Sequence, residues 1–295
     1  MMPCPVSARA RARWLAAVGL ACALGLAVPS ASAQPADHPA DKPINVGTDF
    51  GIAPFVVRTP SGPDGFSIDM VKEVARRIKR PGAEIADMNM SGLISALMSK
   101  RIEMMVNPFG ITAERSERML FTEPYLGTGN AFIVKKSDEM KGLDDLKGKT
   151  LAVNRGTISD TWATENGPKH GFEVQRYDNF PDSVQAVITR RAFAALNEIP
   201  TANYAATQNP QIKVGFAEYT GRNFGYALRL ESVAFRNQVE EAIECMKLDG
   251  WLVKNYEKWF RQPAPNDPAL KTVFPGYGPP GFKGHDPTPH QPRCS

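Results

Sequence analysis

Apolar and polar positions along the chain alternate between two periods. From Ile44, INVGTDF reads as a strand, and GFSIDMVKEVARRIKR as an amphipathic helix that starts near Ser67 or Asp69 and is closed by Pro81-Gly82. AEIADM is then a strand, SGLISALMSK a helix and RIEMMVN a buried strand. Strands separated by helices of this length predict βαβ units and a parallel sheet. After AFIVKK a second set follows: helix DDLKG, strand TLAVN, loop RGTISD, helix TWATEN, strand FEVQRY, helix SVQAVITR and the apolar run AFAALN. KVGFAEY and the strand-like NFGYALRL precede a long helix from about Val233 to Lys247, with Phe235, Val239, Ile243 and Met246 on one face, and a further helix carries WLVKNYEKWF. Two α/β units with the chain returning to the first predict two lobes joined by crossovers near Gly127 to Val134 and Asn223 to Ala227.

The two ends depart from this pattern. Arg9, Arg11 and Arg13, an uncharged apolar run from Trp14 to Val28 and Ala31-Ser32-Ala33 predict a secretory signal peptide cleaved after Ala33. Gly19, where a lipobox wants Leu, argues against lipidation at Cys22, and no later run approaches the length of a membrane span. From Gln262 to Ser295 the chain is dense in Pro and Gly and reads as an extended, irregular tail. The expected organisation is therefore signal peptide 1–33, linker 34–43, first lobe 44–128 and 226–262, second lobe 129–225 and tail 263–295.

Export changes the charge and the cysteine count. The full chain carries 35 basic and 31 acidic residues, and the signal removes three Arg and no acids, which leaves a net charge of +1. That balance gives no electrostatic case for nucleic acid or an anionic membrane as partner. Cys4 and Cys22 leave with the signal, so Cys245 and Cys294 remain as a pair in an oxidising compartment. Cys245 lies about 100° from Met246 on its helix, at the border of the buried face, and the tail is long enough to return to it. A Cys245–Cys294 disulfide that pins the tail against the first lobe is expected.

Catalytic motifs are scarce. Of the four histidines, His38, His285 and His290 fall in ends expected to be flexible, and His170 beside Gly171 reads as a surface-turn residue. This argues against a Ser-His-Asp triad and a histidine metal site. Phosphate-loop and dinucleotide fingerprints are missing too. No catalytic residue, cofactor or metal is assigned, and binding stands ahead of catalysis.

The binding candidates suit a small zwitterion. Arg115 follows the strand IEMMVN through a short turn, Asn107 to Thr112, so its guanidinium reaches the open end of a sheet. A guanidinium matches a carboxylate with two parallel charge-assisted hydrogen bonds. Thr112 and the amides of Gly110 and Thr112 are further donors. Arg155-Gly156-Thr157 lies between a strand and a helix start, where backbone amides favour an anion. Glu198 follows the buried run AFAAL, and a carboxylate there needs a cationic partner such as an ammonium. The competing readings are a surface pair of Arg115 with Glu114, Glu117 or Glu123, and Glu198 as an ordinary acid at a helix N-terminus beside Pro200.

GTDFGIAPF, GFSIDMVKEVARRI, GLISALMSKRIEMM, ITAERSERMLFTEPY, LKGKTLAVNRGT and LDGWLVKNYEKWF follow in the order and spacing of the bacterial extracellular solute-binding protein family 3, and the chain resembles that family over about residues 44 to 262. The resemblance implies an α/β fold of the two-lobed periplasmic-binding-protein type II, each lobe a mostly parallel sheet flanked by helices. It implies a periplasmic component of an amino-acid ABC transporter, with a small-molecule ligand, an inner-membrane permease as partner, and a monomeric state. Arg115 resembles the family's arginine for the ligand α-carboxylate, Thr157 its second-lobe carboxylate contact, and Glu198 stands where the family usually has Asp for the α-ammonium. Asp49 is similar to an acid that contacts basic side chains in some members. Ser67, Met90, Glu103, Pro108 and Phe193 depart from the family pattern and Arg155 adds a cation, so a solute other than a standard amino acid stays open. The alternatives are an enzyme on the same scaffold, resembling periplasmic cyclohexadienyl dehydratases with Glu198 as the acid, or a sensor or partner-binding module presented by the tail.

Overall fold

A computed structural model describes residues 38–294. The segment read as a signal peptide, with its cleavage after Ala33, lies outside them. The first half runs β1 (Ile44–Thr48), a small hairpin of β2 (Val57–Thr59) and β3 (Gly62–Asp64), α1 (Phe66–Arg77), β4 (Ala83–Asp87), α2 (Met90–Met98) and β5 (Met104–Gly110). A single-turn helix α3 (Ala113–Ser116), β6 (Leu120–Phe121) and β7 (Leu126–Lys135) lead into the second half. That half comprises β8 (Thr150–Asn154), α4 (Ile158–His170), β9 (Glu173–Tyr177), α5 (Phe180–Ile188), β10 (Ala194–Glu198), α6 (Ile199–Gln208) and β11 (Ile212–Leu228). Helices α7 (Val233–Leu248), α8 (Trp251–Phe260) and α9 (Pro268–Lys271) complete the described chain.

Side-chain caps start three of the helices, and they place α4 at Ile158 and α5 at Phe180, ahead of the expected starts at Thr161 and Ser183. Asn89, Thr157 and Asn179 accept from the third amide beyond them and cap α2, α4 and α5, and Gly171 in the left-handed region closes α4. The sheet order is β4-β1-β5-β11-β7-β10-β8-β9. The triplets β4-β1-β5 and β10-β8-β9 are parallel, as βαβ units require. Each has its own apolar packing: Leu93, Leu97, Met105 and Phe109 are buried together in the first, and Phe132, Leu151, Val153 and Leu196 in the second.

The junction differs from the expected pattern. KVGFAEY and NFGYALRL are one 17-residue strand, β11, which pairs antiparallel with β7 from Ile212 opposite Lys135 to Phe224 opposite Leu126. Register shifts between Val214 and Phe216 and between Tyr219 and Arg222 keep so long a strand in register by bending it. The turn expected at Asn107 to Thr112 is a second difference, because β5 continues to Gly110 before α3 begins. Pro108 is tolerated inside it because the β5–β11 register shifts between Gly225 and Ala227, beside the proline's missing donor. DDLKG forms a 3₁₀ turn, Leu143–Leu146, too short for an α-helix.

The tail is folded onto the protein. Cys245 and Cys294 are joined, with Cα atoms 5.4 Å apart. Between α9 and this bridge the chain packs over α7 through buried charges. Lys247 pairs with Glu123 at 2.7 Å and donates to the Thr272 carbonyl at 2.9 Å, while the other Glu123 oxygen accepts the Phe274 amide at 2.8 Å. Glu240 accepts the amides of Gly278 and Glu123 at 2.6 and 2.9 Å. Burial pushes the Glu240 carboxyl up to about 8, against the pull of Arg236.

The flexible ends expected for three histidines are corrected by the same packing. His38 contacts Glu103 and Ser232, each at 2.9 Å, and stacks on Phe235. His285 reaches the Tyr277 carbonyl at 3.1 Å, and His290 meets Glu244 at 3.0 Å under the Tyr277 ring. Glu103, a departure from the family pattern, also accepts from Asn45 and from Arg80, so it fastens the start of β1.

The disulfide closes a loop across 49 positions, which on chain-entropy grounds stabilises by about 4 kcal/mol. We expect Cys294→Ser to lower the unfolding free energy by an amount of that order in urea titrations. An unchanged midpoint would show that the buried ion pairs alone hold the tail.

Candidate functional site

The parallel strands of both halves end at one cavity. On the first side lie Asp49, Ile52, Met90, Asn107, Phe109 and Arg115, and on the second Asn154, Thr157, Ile158, Asn197, Glu198 and Thr201. At the scale of a water molecule the space between them is only about 20 Å³, so the cleft is closed. Gly110 permits this approach, since a Cβ there would lie 3.2 Å from the Ile158 side chain across the cleft.

Arg115 is placed by α3. Thr112 accepts the Arg115 amide at 3.2 Å and caps the turn, and the guanidinium stacks 3.9 Å above the Phe109 ring. One guanidinium nitrogen donates to the Gly110 carbonyl at 2.9 Å. No carboxylate pairs with Arg115 among the described residues. Of its three expected surface partners, Glu117 and Glu123 are taken by Lys283 and Lys247, and Glu114 acts on it through space without an ion pair. Burial lowers the Arg115 pKa to about 10, with Glu198 and Glu114 pulling it back up, so the group stays cationic at neutral pH.

Glu198 lies across the cleft at the end of β10. It is surrounded by protein but keeps part of its surface open, and its amide donates to the Asn197 side chain at 2.7 Å. Burial raises its carboxyl above the ordinary value, and the charges of Arg222 and Arg115 oppose the rise. Asp49 behaves alike: burial raises it, the Gly51 amide at 2.8 Å lowers it, and nearby Asp87 raises it again. The cavity thus holds a guanidinium with no carboxylate partner among the described residues and two carboxyl groups whose pKa burial raises.

The remaining sequence candidates are placed unequally. Thr157 lines the cavity, but its hydroxyl donates to the Asn154 carbonyl at 2.7 Å and accepts from Asp160 at 3.3 Å, so it caps α4. Thr112 spends its oxygen on α3, and Gly110 offers Arg115 its carbonyl. Arg155 is not brought to the cavity: it points outward and pairs with Asp178 at 3.3 Å, both side chains more than half exposed. Cys245 and Cys294 lie away from the cavity, under the tail.

Sequence reasoning missed Asn107, Asn154, Asn197 and Arg222. The asparagines close the apolar runs MMVN, LAVN and AALN, and that repeated polar ending was a legible signal for strands that meet a shared cleft. Asn107 accepts the Asp49 amide at 2.7 Å, and the Asn154 oxygen is buried without a partner among the described residues. Arg222 had no such signal, because only the bend in β11 brings its charge to Glu198.

The model of the bacterial extracellular solute-binding proteins, family 3, matches residues 44–262. The chain belongs to this family. Among its family 3 relatives is the arginine-binding extracellular protein ArtP of Bacillus subtilis (strain 168), 27% identical over 84% of this chain and 98% of that protein. Among solved structures, an ancestral arginine-binding protein bound to arginine superposes with a TM-score of 0.71 at 32% identity, covering 75% of this chain and all of that one. The ancestral amino acid-binding protein AncCDT-1, a precursor of cyclohexadienyl dehydratase, gives 0.68 at 32% identity over 74% of this chain and 95% of that one. The fold is therefore the two-lobed type II arrangement, and the neighbours that share it are amino-acid-binding proteins. Among the described residues of this family 3 protein, no helix is long and apolar enough to cross a membrane.

The Glu198 carboxyl is raised on folding, so its contribution to stability is complete below its ordinary pKa of 4.5 and is lost as pH rises through the folded value. Glutamine carries no such loss. Glu198→Gln should therefore gain stability relative to wild type as pH rises above 4.5, read from urea midpoints. A gap that stays constant with pH would contradict the raised pKa.

Proposed function

We propose that this family 3 protein captures a small zwitterionic solute, an amino acid or a derivative of one, and delivers it to an ABC importer. The observation that carries the reading is the half-buried Arg115 guanidinium, stacked on Phe109 with no carboxylate partner among the described residues, facing Glu198 across a closed cleft. The ligand α-carboxylate supplies what Arg115 lacks, and the α-ammonium supplies what Glu198 lacks. Asp49, beside Met90 and Ile52, takes the polar end of the ligand side chain. The first-turn amides of α4, beginning at Thr157, add to the carboxylate site. The arginine bound by neighbours of this fold suits a site with a second carboxyl at Asp49.

The lobes are residues 44–128 with 226–262, and 129–225, and they close on the ligand by bending at β7 and β11. The protein works as an exported monomer, cleaved after Ala33, that docks on an inner-membrane permease. It binds without turnover. The enzymatic alternative draws on one observation, the raised Glu198 carboxyl, which suits a general acid for loss of a leaving group.

A thermal-shift screen of refolded, ligand-stripped protein against amino acids, dicarboxylates and prephenate tests the reading. Ligand at 100 times Kd adds about 2.7 kcal/mol of stability. Arg115→Ala leaves the ligand carboxylate buried and unpaired, at a cost of about 3 to 5 kcal/mol, or two to four orders of magnitude in affinity. Unchanged affinity in folded Arg115→Ala would sink the assignment. Glu198→Gln weakens α-amino ligands more than acids lacking the amine, whereas prephenate consumption lost in Glu198→Gln would establish the enzyme instead.

A further inference from the structure

The tail does more than cover α7. Its first stretch, Gln262 to Pro268, runs beside the two strands that join the halves and walls an open pocket of about 560 Å³ together with Leu126, Gly127, Tyr219 and Asn223. This pocket shares no residue with the ligand cavity. Helix α6 separates the two: Ile199, Pro200 and Asn203 face the pocket, while Glu198 and Thr201 at the same end face the cavity.

A hydrogen bond from β7 ties this stretch to the joining strands. Asp267 accepts the Gly127 amide of β7 on one oxygen at 2.5 Å and the Ala269 amide on the other at 3.0 Å, which caps α9. A Cβ on Gly127 would come within 3.0 Å of the Asp267 carboxylate, so the close approach depends on the glycine. The rest of the tail is fixed to Glu123 beside β6 and, on α7, to Glu240 and through the Cys245–Cys294 bridge. A segment anchored on one half therefore holds a backbone amide of the strand through which the chain passes to the other. A two-state hinge is biased by any contact made better in one state than in the other.

We propose that Asp267 is a positioning residue for ligand binding: by holding Gly127 in the closed arrangement it sets, from outside the cleft, how readily the lobes close. The effect on affinity rests on the solute-binding reading above, whereas the effect on closure does not.

The test uses full-length, oxidised protein. Asp267→Ala removes the acceptor, Gly127→Ala displaces it with a methyl group, Asp267→Asn retains one acceptor oxygen, and Lys283→Ala removes a tail ion pair to Glu117 remote from the pocket. Without ligand, small-angle scattering and hydrogen exchange of the β7–β11 ladder should show a larger radius and about tenfold faster exchange in Asp267→Ala and Gly127→Ala, at a melting temperature close to wild type. Asp267→Asn should recover most of the wild-type behaviour, and Lys283→Ala all of it. With L-arginine as probe, affinity should fall about tenfold in the first two variants. Wild-type radius and ladder exchange in both Asp267→Ala and Gly127→Ala would overturn the proposal, as would equal changes in Lys283→Ala. Failure of wild type to bind L-arginine would count against the ligand reading and leave the unliganded measurements to decide the role of Asp267.

Discussion

The antiparallel ladder between β7 and β11 is the constraint on which the rest depends. Each half is a parallel α/β unit whose strands point their carboxyl ends one way, and the ladder sets the two units with those ends facing. Asn130 of β7 lies opposite Glu198 of β10 on one side and Glu218 of β11 on the other, so the ladder also fixes where the second-half acid stands. Arg115 comes from the first half, one turn beyond β5, which is itself paired to β11. Acid and guanidinium face each other because both are referred to one pair of strands.

Electrostatics explains why such a cleft waits for a ligand. Elsewhere the protein pairs buried charges of opposite sign, Lys247 with Glu123 and Arg80 with Glu103. At the cavity it does not. Arg115 has a ring and a carbonyl but no anion, and Glu198 is lifted by burial faster than distant cations lower it. Both groups are left desolvated and under-compensated, and a zwitterion repairs both defects at once. Arg222 moderates the Glu198 side without closing the deficit, as the raised carboxyl shows.

Much of this was legible in the order of residues. The alternation of periods gives the βαβ units, and Arg115 and Glu198 stand at equivalent ends of two strands, which pointed to a shared cleft before any contact was known. Two things were hidden for physical reasons. The merging of KVGFAEY and NFGYALRL into β11 depends on bulges, which only pairing with β7 reveals. The docking of the tail depends on Arg236, Glu240, Glu244 and Lys247, which look like the solvated face of an amphipathic helix and are buried only because Phe274, Tyr277, Gly278 and His290 return to them. Local pattern reports the face a helix turns from its own sheet, not what later covers it. Arg155 failed for the opposite reason: its position in the loop was right, but the acid of Asp178 drew its side chain outward.

The most direct measurement of the central claim is calorimetric titration of ligand-stripped protein with L-arginine, with its decarboxylated analogue and with its des-amino analogue. A cleft that needs an anion at Arg115 and a cation at Glu198 binds the intact amino acid and loses at least two orders of magnitude with either analogue, about 3 kcal/mol or more. Equal affinity for all three, or heat from neither arginine nor any other proteinogenic amino acid, would contradict the account.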